Sequence, residues 1–86
     1  MIWDEVDFQP RVDRLTQVAS DFDTILSVRH PERFRPRDVI RLGGSENAWV
    51  ISVGEVGLIV QRGYRSWPVR HEAGDRVLIL ASGTIG

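Results

Sequence analysis

The sequence predicts an all-β fold: a small barrel or sandwich of five or six short strands, with at most one short helix near the N-terminus. Three observations predict it. Short runs rich in β-branched and aromatic residues recur along the chain. Gly, Pro and Asp residues separate those runs at short intervals. No long helical pattern alternates with them, as a parallel βαβ sheet would require.

Taken in order, Met1–Pro10 sets Trp3 and Phe8 among acids and ends in proline, and reads either as an arm that docks by its aromatics or as a partly ordered terminus. From Arg11 to Ala19, Val12, Leu15, Val18 and Ala19 fit a helical spacing, while the Thr16–Val18 end fits a strand equally well. Asp21–Thr24 is turn-like, and Ile25–Val28 is a strand candidate. The stretch from His30 to Asp38 carries two prolines and many charges, so it is a loop leading into Val39–Leu42. Gly43-Gly44 marks a tight turn before the strand Ala48–Val53, and Leu58–Gln61 is its hairpin partner. A longer loop over residues 63–75 precedes the last strand, Val77–Ala81. The chain thus divides into an arm (1–10), one β domain (11–81) and a loose tail (82–86).

The strands AWVISV and VLILA are apolar on both faces. In so small a barrel only one face of a strand points inward, so the other is covered by the N-terminal segment or by a partner. That pattern points to assembly.

The chain has 86 residues and no cysteine, so packing and burial against other subunits are what remain to stabilise it. With 42% hydrophobic and 27% charged residues and a net charge of -1, it reads as a globular chain rather than a disordered one. No run is long and apolar enough to span a bilayer, and no signal peptide opens the chain, so no membrane partner is expected and an intracellular protein is. All 11 basic residues are arginines, which codon bias in a GC-rich genome would explain. Asp4, Glu5, Asp7, Asp13, Asp21 and Asp23 make the front acidic, and the arginines at 29, 33, 35, 37 and 41 make the middle basic.

No phosphate-binding loop, zinc-protease motif or nucleophile elbow is present. His30 and His71 lie near Glu32 and Glu72 but within arginine-rich loops, which repel a cation, so they read as loop histidines rather than metal ligands. Ser66 has no third group placed to orient a base. Neither catalysis nor a cofactor is expected. Nucleic-acid binding has some support, because Phe34, Tyr64 and Trp67 are interleaved with arginines as on single-strand-binding barrels. The residues for it would be Arg33, Arg35, Tyr64 and Trp67. The net charge argues against it. The plainer reading pairs these arginines with the acids of the arm and makes Tyr64 and Trp67 packing anchors. A peptide-binding SH3-like barrel is a third reading.

Four pieces then occur in a recognisable order. They are Phe34–Leu42 (FRPRDVIRL), Glu46–Val53 (ENAWVISV), Leu58–Gly63 (LIVQRG) and His71–Val77 (HEAGDRV). Over residues 24 to 80 they resemble a β module of tailed-phage virion proteins, notably major head proteins of the SU10 type. The resemblance implies a structural or assembly component of a virion, assembled in the host cytoplasm. It would be a head decoration, accessory or connector protein, or an excised capsid domain. It would act through contacts with its own copies or with other virion proteins. The contact residues expected are Trp3, Phe8, Tyr64, Arg65 and Trp67, since exposed aromatics and arginine dominate interfaces. Pro36, Asp38, Gly63, Gly74 and Asp75 are expected to make turns. Arg37 stands where the related modules prefer glycine, which favours a type I over a type II turn there. Tyr64–Pro68 replaces a region of small residues, which marks that stretch for contact.

Overall fold

The computed structural model describes residues 12–81. They form one antiparallel sheet: β1 (Val12–Arg14), β2 (Ile25–Ser27), β3 (Val39–Leu42), β4 (Glu46–Val53), β5 (Gly57–Gln61) and β6 (Arg76–Ala81). The strand order is β1-β6-β3-β4-β5-β2, and the sheet curls into a half-barrel. Its two edges meet where Leu15 bridges Val28, with Thr16 N–H donating to Ser27 O and Arg29 N–H to Arg14 O. The all-β expectation holds.

Strand alternation explains the core. Ala48 and Val50 on β4, Leu58 and Val60 on β5, Ile40 and Leu42 on β3, and Val77 on β6 are all buried, and Leu15, Leu26, Val28 and Phe34 complete the cluster. Each strand gives one row of side chains to this interior, and the other row faces outward. A bulge between Val50 and Ser52 shifts the β4–β5 register, and another lies between Val39 and Ile40 where β3 meets β6.

The helical alternative for residues 11–19 does not hold over its described part, because Val12–Arg14 pairs with Leu78–Arg76 as a strand. Asp13 holds that strand in place from within. Its Oδ1 accepts from Arg14 N–H and its Oδ2 from His30 N–H, each at 2.7 Å, so a carboxylate is buried there with backbone donors. The one helical turn among the described residues is a 3-10 turn at Pro31–Arg33.

The turn into β3 also departs from expectation. Arg37 has φ +77°, and Asp38 N–H donates to Arg35 O at 3.1 Å. With Pro36 and Arg37 as its central residues, this is a type II turn, not type I. Tertiary bonds fix it: Arg37 N–H donates to Val50 O, Val50 N–H donates to Asp38 O, and Asp38 Oδ2 accepts from Arg35 N–H. Pro36 and Asp38 therefore do make the expected turn, in a different form.

No helix among the described residues is long and apolar enough to cross a membrane. Trp3 and Phe8 lie outside the described residues, as do the arm and tail assignments.

Candidate functional site

The long connection between β5 and β6, residues 62–75, is built on one buried carboxylate. Glu46 opens β4 on the same inward row as Ala48 and Val50 and is fully buried. Arg62 follows Leu58 and Val60 on the inward row leading out of β5, with its side chain 6% exposed. The two rows bring acid and base together. Arg62 Nε donates to Glu46 Oε2 at 2.7 Å and Nη2 to Oε1 at 2.9 Å.

The remaining valences of both groups are filled. Arg62 Nη1 donates to Ser20 O and Asp23 O, and Nη2 also donates to Val69 O. All five guanidinium donors are thus used. Glu46 accepts further bonds from Gly63 N–H at 3.0 Å, Val69 N–H at 3.1 Å and His71 Nε2 at 2.9 Å. An ionised carboxylate only accepts, so His71 carries its proton on Nε2. Burial alone would push the Glu46 carboxyl up. The Arg62 guanidinium, with the Val69 N–H, His71 and Gly63 N–H bonds, outweighs that and holds it at about 2.

This network staples the loop down on both sides. Tyr64 N–H donates to Asn47 O, Asn47 N–H donates to Ser66 Oγ, and His71 and Ala19 exchange two backbone bonds. At the far end, Gly74 has φ +94° and Asp75 N–H donates to Glu72 O. Asp75 Oδ2 in turn accepts from Glu72 N–H at 2.9 Å. At the near end, Gly63 has φ +69° and its carbonyl accepts from Ser66 N–H at 3.3 Å.

What the stapled loop presents is the YRSWP segment. Trp67 is 84% exposed and Tyr64 37%. The Arg65 guanidinium lies over the Tyr64 ring, 5.5 Å from its centroid, and Arg65 has φ +57°. Tyr64, Arg65 and Trp67 stand on one short turn, where Ser66 N–H donates to Gly63 O. Trp67 is not a packing anchor within this chain, which corrects the plainer reading. Ser66 Oγ accepts from Asn47 N–H and donates to Asn47 O.

The charged pairs of this region are local to the described residues. Arg62 pairs with Glu46 and Arg70 with Glu72, and the acids of the arm lie outside those residues. His71 meets Glu46 rather than its chain neighbour Glu72, while His30 does face Glu32 at 3.5 Å. Arg35 sits at the Val39 end of β3, whereas Tyr64 bonds Asn47, which pairs with Arg41 nearer the other end. The four residues of the nucleic-acid reading are therefore not gathered as one group. Among the described residues, no group of three or more His, Cys, Asp or Glu side chains is placed to hold a metal ion.

Sequence reasoning missed the Glu46–Arg62–His71 network. A signal was there: Glu46 is two residues before Ala48 and four before Val50, and Arg62 is two after Val60 and four after Leu58. Period-2 alternation places both charges on core-facing rows. No protein-family model, curated protein or solved structure matches this chain.

Proposed function

We propose that this protein is a structural or assembly component of a phage virion, working by protein–protein contact through the Tyr64–Trp67 turn. It has no catalytic role in this reading. The observation that carries the contact surface is an almost fully exposed tryptophan on a loop held by a saturated buried ion pair. A large apolar side chain that stands in water gains nearly the whole of its burial on binding. The virion assignment rests on the resemblance in the order of the four sequence pieces. The network gives that order a physical reason: Glu46 comes from the second piece, Arg62 and Gly63 from the third, and His71 from the fourth. Pieces far apart in sequence belong together because they share one carboxylate.

The test is the solution mass across concentration and salt, measured for the chain alone and with purified virion particles. Salt-insensitive self-association, or retention on particles, is the expected result. A strictly monomeric chain that no particle retains would sink the reading.

The second reading is a small barrel that binds single-stranded nucleic acid or a peptide, and the Arg65–Tyr64 stack beside Trp67 is what favours it. A mobility shift with single-stranded DNA that weakens steeply with salt would select it over assembly.

A further inference from the structure

Three arginines from three neighbouring strands stand on the outer face of the sheet, around the start of β6. Arg14 on β1 pairs directly across from Arg76 on β6, so the two side chains leave the same face. Leu78, two residues along β6, leaves that face as well, and Arg41 on β3 pairs with it from the other side. All three arginines are exposed. With Leu78, Asp75 and the glycines 43, 44 and 74 they line one open hollow of about 440 Å³. A Cβ at Gly44 or Gly74 would meet nothing within 4 Å, so no side chain closes the rim there.

The cations that serve the fold are filled by protein oxygens. Arg62 uses all five donors on Glu46, Ser20, Asp23 and Val69, and Arg70 meets Glu72. The three around the hollow are different. Among the described residues none of them forms an ion pair with a carboxylate. Arg14 is anchored through Nη1 to Gly74 O at 2.9 Å, and Arg41 through Nε to Asn47 Oδ1 at 3.1 Å. A guanidinium carries five donors, so one such bond orients each fork and leaves most of it for a ligand. Arg14 and Arg76 also repel across the strand pair, a cost that a bound anion would remove.

The charge count selects the anion. Three guanidinium groups less the Asp75 carboxylate leave a formal charge of +2 (3 − 1) around the hollow. That carboxylate is already engaged, since its Oδ2 accepts from Glu72 N–H at 2.9 Å and lies 3.7 Å from His71 Nδ1. A phosphate monoester carries roughly −1.5 to −2 near neutral pH and offers three acceptor oxygens. Arginine forks match those oxygens two at a time. A carboxylate or a phosphodiester brings only one charge. The volume also falls in the range of small-molecule sites, about 300–1,000 Å³. We propose that the hollow binds a phosphate dianion, free or as the monoester of a small molecule, with Arg14, Arg41 and Arg76 on its oxygens. The site uses none of the residues of the Tyr64–Trp67 turn and does not depend on the virion reading.

The test titrates the whole chain at neutral pH and constant ionic strength with sodium phosphate and with adenosine monophosphate, against sodium chloride. Arginine Nε–H resonances and thermal melts are the readouts. Saturable shifts confined to Arg14, Arg41 and Arg76, with a raised melting temperature, are expected for phosphate and not for chloride. R76Q and R41Q are each expected to weaken binding about tenfold. R76Q also removes the charge facing Arg14, so without ligand it should melt no lower than the native protein. Tighter binding of adenosine monophosphate than of phosphate identifies a carried monoester as the ligand, and the reverse identifies the free ion. Affinity unchanged in both variants, or shifts no different from those in chloride, would overturn the proposal. A single-stranded oligothymidylate that displaces adenosine monophosphate, with an affinity falling steeply with salt, would replace the small-molecule site by a nucleic-acid backbone.

Discussion

Arg62 meets Glu46 side-on inside the barrel, Nε to one carboxylate oxygen at 2.7 Å and Nη2 to the other at 2.9 Å. Neither charge reaches solvent in any useful measure, and their bonds to one another are supplemented by backbone groups on both sides. Removing one partner leaves the other buried and unpaired, which costs about 3–5 kcal/mol. E46A and R62A are each expected to lose that much. A domain of this size has about 4–13 kcal/mol in total, so either variant is expected to be partly or wholly unfolded. An apolar pair, E46L/R62L, removes both charges together and is expected to cost clearly less than the sum of the single losses. Urea unfolding of the four proteins measures this.

Acid will titrate the same pair. The Glu46 carboxyl is held at about 2 when folded, against an ordinary value of 4.5. The unfolded chain therefore binds a proton there at higher pH than the folded chain does. The stabilisation is fully present above about pH 5 and fades as pH falls from 4.5 towards 2, by about 3 kcal/mol in all. The expected curve is flat near neutrality with a steep acid limb. E46Q should flatten that limb at the cost of lower stability at pH 7, and a limb of unchanged depth in E46Q would assign it to other carboxylates.

Much of the fold was written in local chemistry. Gly43-Gly44 between Leu42 and Glu46, and the β-branched runs on either side, sufficed to place the β3–β4 hairpin. What local chemistry does not carry is which distant groups share a face. His71 has Glu72 beside it in sequence, yet bonds Glu46 twenty-five residues away, because the loop returns across the end of β4. Arg37 shows the same limit from the other side. Residue type argues for φ < 0, but the bonds from Arg37 N–H to Val50 O and from Val50 N–H to Asp38 O fix the type II turn.

That reversed turn carries its own expectation. An L residue with a side chain at φ +77° is strained by roughly 1–2 kcal/mol, and glycine is not. The greater freedom of glycine in the unfolded chain offsets part of the gain. R37G is therefore expected to raise stability by up to about 1 kcal/mol in thermal or urea unfolding. A type I turn would predict the opposite, since glycine there would only add unfolded-state entropy, and a destabilised R37G would argue for it.

Trp67 separates contact from stability. Its side chain is almost wholly in water, so W67A removes no internal packing and should leave the unfolding free energy within about 0.5 kcal/mol of its starting value. At a contact centre, truncating a tryptophan costs about 2 kcal/mol or more, roughly a thirtyfold loss of affinity. Gly63 provides the contrasting variant. It has φ +69°, and a Cβ there would lie 2.9 Å from Pro68 Cδ, the residue that follows Trp67. G63A should therefore lower stability and displace the tryptophan together. Thermal melts alongside sedimentation of each variant distinguish the two. Association lost in W67A with an unchanged melt locates the contact at this turn, whereas association unchanged in W67A moves it elsewhere on the barrel.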